Sequence, residues 1–520
     1  MRKLITALCL ILGLSLTLMA DWQSDLDQVI KSDNPAETDE LIASVVSADP
    51  DWWEVKAYLE NIEFEPAEKG DFFLREIECA DGKMRPYVLY VPETYDPKEP
   101  TPLFVILHGG VSRSEIFSTQ LDYARDHEFG IIARDNGWLA LWPFGQMGAT
   151  WWDEVGMANI ENQIHTVKRE YNVDDNRVYL GGFSDGASAS FSHAMLKASD
   201  YAAFIALNGH MGVAGMAGDY HLYPINLRNR PIYAVTTDED ELYPTRTMKP
   251  TIELALSAGA DILYHEFEGT HNIDDYEKEV LPIIDRFLST HVRDPYPTEL
   301  IWETADTNYG QLMWLDIKET FMGENPDWHE VYNIEMTDER IVIGFMPLWE
   351  YEGEGVAVDQ VVDEETFAAS AGLESGDIII QANQADIVKM EDLDNFKRTV
   401  NRGDSVNLIV LRNGEEVELS GQLPEIDHFP LFDYKRESGL TRAKAVANRI
   451  EIETSRVLRL GIRVNPELFN PDHKITIVVD GQTRYDQVVE PDLDFMLRNF
   501  LENRDRSQIY IADVEIIVVE

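Results

Sequence analysis

Two cysteines in 520 residues are too few for a disulfide framework. Cys9 lies in an apolar leader, and Cys79 would stand alone once that leader is removed. No intramolecular disulfide is then available, so stability has to come from core packing. Positive charge is also scarce: 43 Lys and Arg stand against 95 Asp and Glu, a formal net charge of −52. A chain this acidic is a poor partner for nucleic acid or an anionic membrane surface. Phosphate-cradling and dinucleotide glycine loops are missing. The spacing of a helical metal site is missing too, since His271 follows His265-Glu266 by six positions from His265 rather than four. No cofactor and no metal are expected; the acidic run Asp238–Glu241 is a weak calcium candidate.

What is present begins with a leader. Arg2-Lys3 precede an apolar run from Leu4 to Met19, and Ala20 is a small residue at the expected cut. The run is short for a membrane span, which predicts an exported protein, periplasmic or secreted, with no stable membrane insertion after cleavage. A retained anchor is the alternative. The length predicts several domains, and 44% apolar residues with 11 Trp suffice for packed cores.

The central stretch is Val178-Tyr-Leu-Gly-Gly-Phe-Ser-Asp-Gly-Ala187. It predicts a buried strand, a tight turn with Ser184 at its tip, and a helix from about Asp185. The G-x-S-x-G pattern needs little bulk on either side of the serine, because strand and helix approach closely there. A serine hydroxyl needs a base, and the base needs an orienting carboxylate. In chain order, both should follow Ser184 after further strands. The strand at 231–235 runs into Thr236-Thr-Asp-Glu-Asp-Glu-Leu-Tyr-Pro244, offering Asp240 as the acid with Asp238 as the alternative. The strand at 262–267 runs into Glu268-Gly-Thr-His271, offering His271 as the base; His265, inside the strand, is the competitor. For an oxyanion hole, the backbone N–H of Asp185 and one from the loop after Leu103-Phe-Val-Ile-Leu107 are expected, from Gly110 or alternatively Val111. His108 is read as a brace for that loop. Trp151 and Trp152 are either a substrate wall or ordinary packing.

Predicted strands at 71–79, 86–91, 103–107, 138–142, 178–180, 203–207, 231–235 and 262–267 alternate with helices from the third onward, which implies a largely parallel sheet covered on both faces. A helical segment over 21–69 comes before them and is expected to pack on the next domain. After Pro295-Tyr-Pro297 the texture changes to strand-like pieces (ELIWET, LMWLDI, EVYNIEM), then a glycine-punctuated unit over 340–424, then strand-like pieces again to the end.

Residues 70–294 resemble the α/β-hydrolase family through LFVILHGG, GGFSDGA, DEDELYP and EGTH in that order. GFSDGA resembles the carboxylesterase, phospholipase and polyhydroxybutyrate-depolymerase-like esterases. The resemblance implies hydrolysis of a small-molecule or polymer ester. Prolyl-oligopeptidase-type peptidases usually carry a bulky residue and two glycines after the serine, which Asp185 and Ala187 are not. A peptidase using the same three residues is the alternative reading, and an idle hydrolase fold serving as an adaptor is the third. Residues 340–424 resemble a bacterial-type PDZ domain through Ala368-Ala-Ser-Ala-Gly-Leu-Glu-Ser-Gly-Asp-Ile-Ile-Ile380. That implies binding of a protein C-terminal tail, with Ile343-Gly344-Phe345 as the carboxylate loop. The flanking pieces, 295–339 and 425–520, resemble one β-sandwich-like domain split by the PDZ unit; three consecutive domains are the simpler alternative.

Overall fold

The computed structural model describes residues 22–32, 35–338, 340–362, 366–432 and 437–519. The leader lies outside them. Eight strands form the sheet that carries the site: β1 (Asp71–Glu78), β2 (Met84–Val91), β3 (Thr101–Leu107), β4 (Leu139–Pro143), β5 (Val173–Phe183), β6 (Ala203–Leu207), β7 (Ile232–Thr237) and β8 (Ile262–Phe267). Their order is β1-β2-β4-β3-β5-β6-β7-β8. The β1–β2 and β2–β4 pairs are antiparallel and the rest parallel. Every residue of β3, β4, β6 and β7 is buried. Their unbroken apolar runs follow from helices covering both faces. One face packs on helices Glu154–Glu170 and Asp185–Leu196, the other on Glu128–Asn136 and Glu277–Thr290. His127 is extended and separates the helices Gln120–Asp126 and Glu128–Asn136, and its Nδ1 accepts from the Phe129 N–H. This is the α/β-hydrolase fold.

The strand-rich remainder is built from both sides of the PDZ unit. Glu299–Thr304 pairs with Gly439–Val446, and Leu315–Thr320 with Val457–Val464. A five-stranded and a four-stranded sheet enclose one core that includes Trp302, Trp314, Ile450 and Ile462. Two expected strands are cut short. LMWLDI is a hairpin turning at Met313, whose φ is +49°, and only Glu335–Asp338 of the EVYNIEM region and its continuation is a strand. The Trp314 ring goes inward at that turn and its Nε1 donates to Pro297 O at 2.7 Å.

The N-terminal helices Trp22–Lys31, Pro35–Ser47 and Trp52–Glu60 do not pack chiefly on the hydrolase, the next domain in sequence. Leu26, Val29, Ile42, Val45, Val55 and Leu59 join the core of the strand-rich unit instead. Their apolar stripe covers one face of that core.

Within residues 340–423, six strands and the helices Phe367–Ala371 and Met390–Lys397 surround a separate apolar core. A two-stranded ribbon, Glu335–Asp338 with Asp427–Pro430, leads into and out of this unit. The ribbon is anchored on the hydrolase: Met336, Leu431 and Phe432 belong to the hydrolase core.

Candidate active site

The turn after β5 explains its two glycines sterically. A Cβ at Gly182 would lie 2.5 Å from Leu107 O, and one at Gly186 would lie 2.1 Å from the same oxygen. Leu107 ends β3, which pairs with β5 at Leu107–Gly182, so the strand and the new helix meet where no side chain fits. Ser184 between them has φ +59° and ψ −118°, strained for a non-glycine residue. Its N–H donates to Leu207 O at 2.9 Å, which pins the turn to β6. The hydroxyl is thereby lifted off the carboxyl edge of the sheet.

Two loops converge on it. His271, four residues beyond β8, places Nε2 2.8 Å from Ser184 Oγ and Nδ1 2.8 Å from Asp240 Oδ2. Asp240, three residues beyond β7, is buried, and its other oxygen accepts the N–H groups of Leu242 and Tyr243 at 2.8 and 2.7 Å. Burial pushes the Asp240 carboxyl up; the hydrogen bond and charge of His271, the Tyr243 N–H and Asn208 outweigh this and hold it below the usual carboxylate range. Of the two acids offered by sequence, Asp240 meets the histidine. Asp238 accepts from the Gly269 N–H at 3.0 Å and braces the loop leading to His271. His265 bonds Tyr233 OH at 3.0 Å and stays within its strand.

One supporting residue escaped the sequence reading. Asn208, directly after β6, donates from Nδ2 to Asp240 Oδ2 at 2.8 Å and to Thr237 Oγ1 at 2.5 Å, and accepts from Tyr276 OH at 2.5 Å. Its φ is +52°. The available signal was a polar Asn-Gly pair at the end of the AFIAL strand, where sites gather in such sheets.

The loop after β3 lies against Ser184. Gly110 and Val111 face Asp185, the first residue of the helix Asp185–Leu196, whose own N–H has no intrahelical acceptor. The Val111 N–H is taken by Asp185 Oδ2 at 2.8 Å, and the Gly110 N–H also bears on that carboxyl, so the loop after β3 is tied to the start of the helix beside Ser184. Burial pushes the Asp185 carboxyl up, against the pull of the Val111 N–H, His271, the Gly110 N–H and Arg113. His108 braces the loop: Nδ1 bonds Gly109 O at 2.8 Å and Nε2 accepts the Gly145 N–H at 3.1 Å. Burial lowers its pKa to about 4, so the ring is neutral.

Trp151 and Trp152 do not form an open substrate wall. Both are buried in the hydrolase core, and Trp151 Nε1 donates to His108 O at 2.9 Å. In the PDZ unit, Ile343 turns into the core while Phe345 is half-buried and begins the edge strand Phe345–Pro347. Gly344, at φ +97°, joins them in a conformation that disfavours side chains. Among the described residues, no group of three or more His, Cys, Asp or Glu could hold a metal ion, and no helix is long and apolar enough to cross a membrane.

A hydroxyl, an imidazole and a buried carboxylate linked in series can pass the hydroxyl proton to the ring while the carboxylate stabilises the resulting charge. Comparison with known proteins gives this geometry a context. Residues 146–292 match the phospholipase/carboxylesterase model, and residues 333–423 match the PDZ domain model. A bifunctional acetylxylan esterase/xylanase of Neocallimastix patriciarum is 31% identical over 141 residues, 26% of this chain and 20% of that protein. The chain thus spans a fifth of the curated relative it matches. Among solved structures, esterase 2 of Thermogutta terrifontis is 17% identical, covering 43% of this chain and 95% of that one with a TM-score of 0.36. The fluorophosphonate-binding serine hydrolase FphF of Staphylococcus aureus is 12% identical, covering 43% and 98%, with a TM-score of 0.34. The hydrolase region of this chain is of the phospholipase/carboxylesterase type, and the chain also carries a PDZ domain.

Proposed function

We propose that the protein is an exported serine hydrolase that cleaves carboxylic esters. The observation that carries this reading is His271, which bridges Ser184 Oγ and Asp240 Oδ2 at 2.8 Å on each side. Ser184 attacks the ester carbonyl while His271 takes its proton. The backbone N–H groups of Gly110 and Asp185 receive the oxyanion. The tetrahedral intermediate collapses, His271 protonates the departing alcohol, and an acyl group remains on Ser184. Water, activated by His271, then attacks the acyl carbon; the acid leaves and Ser184 regains its proton. Asp240 holds the ring in the required tautomer and balances its charge, and Asn208 holds Asp240. Esters rather than peptides are favoured by the match to the phospholipase/carboxylesterase model. The PDZ unit binds a protein C-terminal tail, and the first 20 residues direct export.

The test is a panel of p-nitrophenyl esters of increasing acyl length beside peptide p-nitroanilides, run with wild type and Ser184→Ala. Ester turnover that Ser184→Ala abolishes is expected. Faster cleavage of the anilides than of every ester would replace this reading with a peptidase.

A further inference from the structure

The N–H groups of Gly110 and Asp185 come from separate segments, the loop after β3 and the helix Asp185–Leu196. One peptide unit links the two. Its N–H, on Val111, donates to Asp185 Oδ2 at 2.8 Å, and its carbonyl, on Gly110, accepts from Arg113 Nε at 2.9 Å. Gly110 has φ +61°, and a Cβ there would lie 3.1 Å from Arg113 Nη2. A Cβ on the preceding residue, Gly109, would lie 3.0 Å from Ser184 Cβ and 3.5 Å from its Oγ. Arg113 and Ser184 therefore press on neighbouring residues of one loop.

Arg113 is itself held in place. Its guanidinium lies 4.9 Å from the Phe117 ring centroid, and its carbonyl accepts the Met147 N–H at 2.8 Å. The outer side of the loop meets the PDZ unit, where Ser114 Oγ donates to Asp359 Oδ2 at 2.7 Å and Gln360 Nε2 to Ser112 O at 3.2 Å. Burial pulls the Arg113 guanidinium below its ordinary value, against the opposing pull of Glu350, Tyr123, Asp185 and Asp359. Of these acids, Asp359 is already bonded to Ser114 and Glu350 is exposed on the PDZ unit. Asp185 is the one beside Ser184. Its carboxylate is an awkward group to hold a loop with. It places a negative charge one residue from the serine at which a second negative charge develops, and the Gly110 N–H bears on it too. Like charges in a partly desolvated site repel strongly. The imidazolium formed at His271 is balanced by Asp240, which leaves Arg113 to offset Asp185.

We propose that Arg113 and Asp185 are positioning residues that clamp the Gly110–Val111 peptide from both ends, and that Arg113 offsets the Asp185 charge so that an oxyanion can form beside it. This rests on the ester-hydrolase reading. When Ser184 Oγ bonds the ester carbon, the hydroxyl proton passes to His271 and the π pair of the carbonyl moves onto its oxygen. The negative charge gained there stands near Asp185, and the Arg113 cation keeps the local sum from becoming doubly negative. The clamp fixes the loop before the substrate arrives, so its dipoles need no reorganisation as the charge develops. The side chain of Asp185 thus ties down one half of the oxyanion site while its own N–H supplies the other.

The test uses the full chain and p-nitrophenyl acetate. Arg113→Gln removes the charge and keeps a donor for Gly110 O; it should lower kcat about tenfold or more with KM within about twofold, because the neutral substrate carbonyl does not feel the imbalance. Arg113→Lys, which keeps the charge, should retain most of the rate. Adding Asp185→Asn to Arg113→Gln should recover most of the loss, a rescue that a merely structural role for Arg113 would not produce. Inhibition by an alkyl trifluoromethyl ketone, which adds to Ser184 as a tetrahedral oxyanion, should weaken in proportion to kcat across the set. Hydrogen exchange of the Val111 amide reads the clamp without turnover: slow in wild type and Asp185→Asn, fast in Asp185→Ala. A double variant no faster than Arg113→Gln, an Arg113→Lys protein as slow as Arg113→Gln, a loss carried by KM, or fast exchange in wild type would overturn the proposal. A protein that cleaves only p-nitroanilides would strike the ester reading alone; the same variants are then read on an anilide, since the oxyanion is common to both reactions.

Discussion

The hydrolase meets its two neighbours in contrasting ways. Against the strand-rich unit it uses buried charge: Arg293 and Asp505 pair at 2.6 Å with both side chains sealed from water, and Asp175 holds Lys168 at 2.9 Å and Arg506 at 3.2 Å. Against the PDZ unit it uses partly exposed polar contacts, with apolar anchoring confined to the ribbon through Met336, Leu431 and Phe432. Breaking a buried pair strands a charge in low dielectric, whereas breaking a surface contact returns both groups to water. The first interface should therefore resist rearrangement more strongly than the second. The second borders both loops around Ser184.

The contrast can be broken from its strong side first. Arg293→Ala leaves Asp505 buried without its partner and should cost about 3–5 kcal/mol in urea unfolding; a loss under ~1 kcal/mol would mean that water already reaches the network. Next is the ribbon. Leu431 Cδ1 packs so closely on Gly212 that a Cβ there would lie 2.8 Å away, and Leu431→Ala should cost about 2–4 kcal/mol. It should also speed proteolysis between 335 and 430 more than elsewhere, as gel mapping would show.

Acid offers a graded version of the same test. Burial pushes the Asp175 carboxyl up, but Lys168 and Arg506 hold it below its ordinary value in the folded state. A carboxylate lowered by folding contributes stability above its unfolded pKa of about 3.9, and that contribution is lost as the pH falls toward the folded value. The unfolding free energy should therefore drop below about pH 4, and Asp175→Asn should flatten that part of the curve. An unchanged slope in the variant would assign the acid sensitivity to other carboxylates. The smallest effect is expected at the PDZ contact: Asp359→Ala should change global stability by less than about 1 kcal/mol while altering ester KM or kcat. A large stability loss there would erase the distinction between the two interfaces.

The candidate site residues could be picked out from sequence because each of them sits where a buried strand ends. Ser184, Asp240 and His271 each follow an apolar run, and the chain order of the three limits the choices. Sequence left Asp238 open because two acids within three positions look alike; only the path of the loop sends one to His271 and the other to the Gly269 N–H. Asn208 was missed because a single amide carries no spacing pattern, although it joins Asp240 to Thr237 and Tyr276. Trp151 and Trp152 were ambiguous because aromatic residues after a strand serve cores and pockets equally, and here they serve the core. The partner of the N-terminal helices was illegible for a related reason: an apolar helix face shows that it must be covered, not by what. The approach of the PDZ unit to the site depends on polar residues in loops, such as Ser114, Asp359 and Arg398, which carry no periodic signal at all.

The most direct test of the central claim is mapping of a fluorophosphonate adduct on the folded full-length protein by mass spectrometry, with Ser184→Ala and His271→Ala alongside. The account predicts a single adduct on the peptide containing Ser184, absent from Ser184→Ala and formed orders of magnitude more slowly in His271→Ala. No adduct on folded wild type, or one that forms as fast without His271, would contradict it.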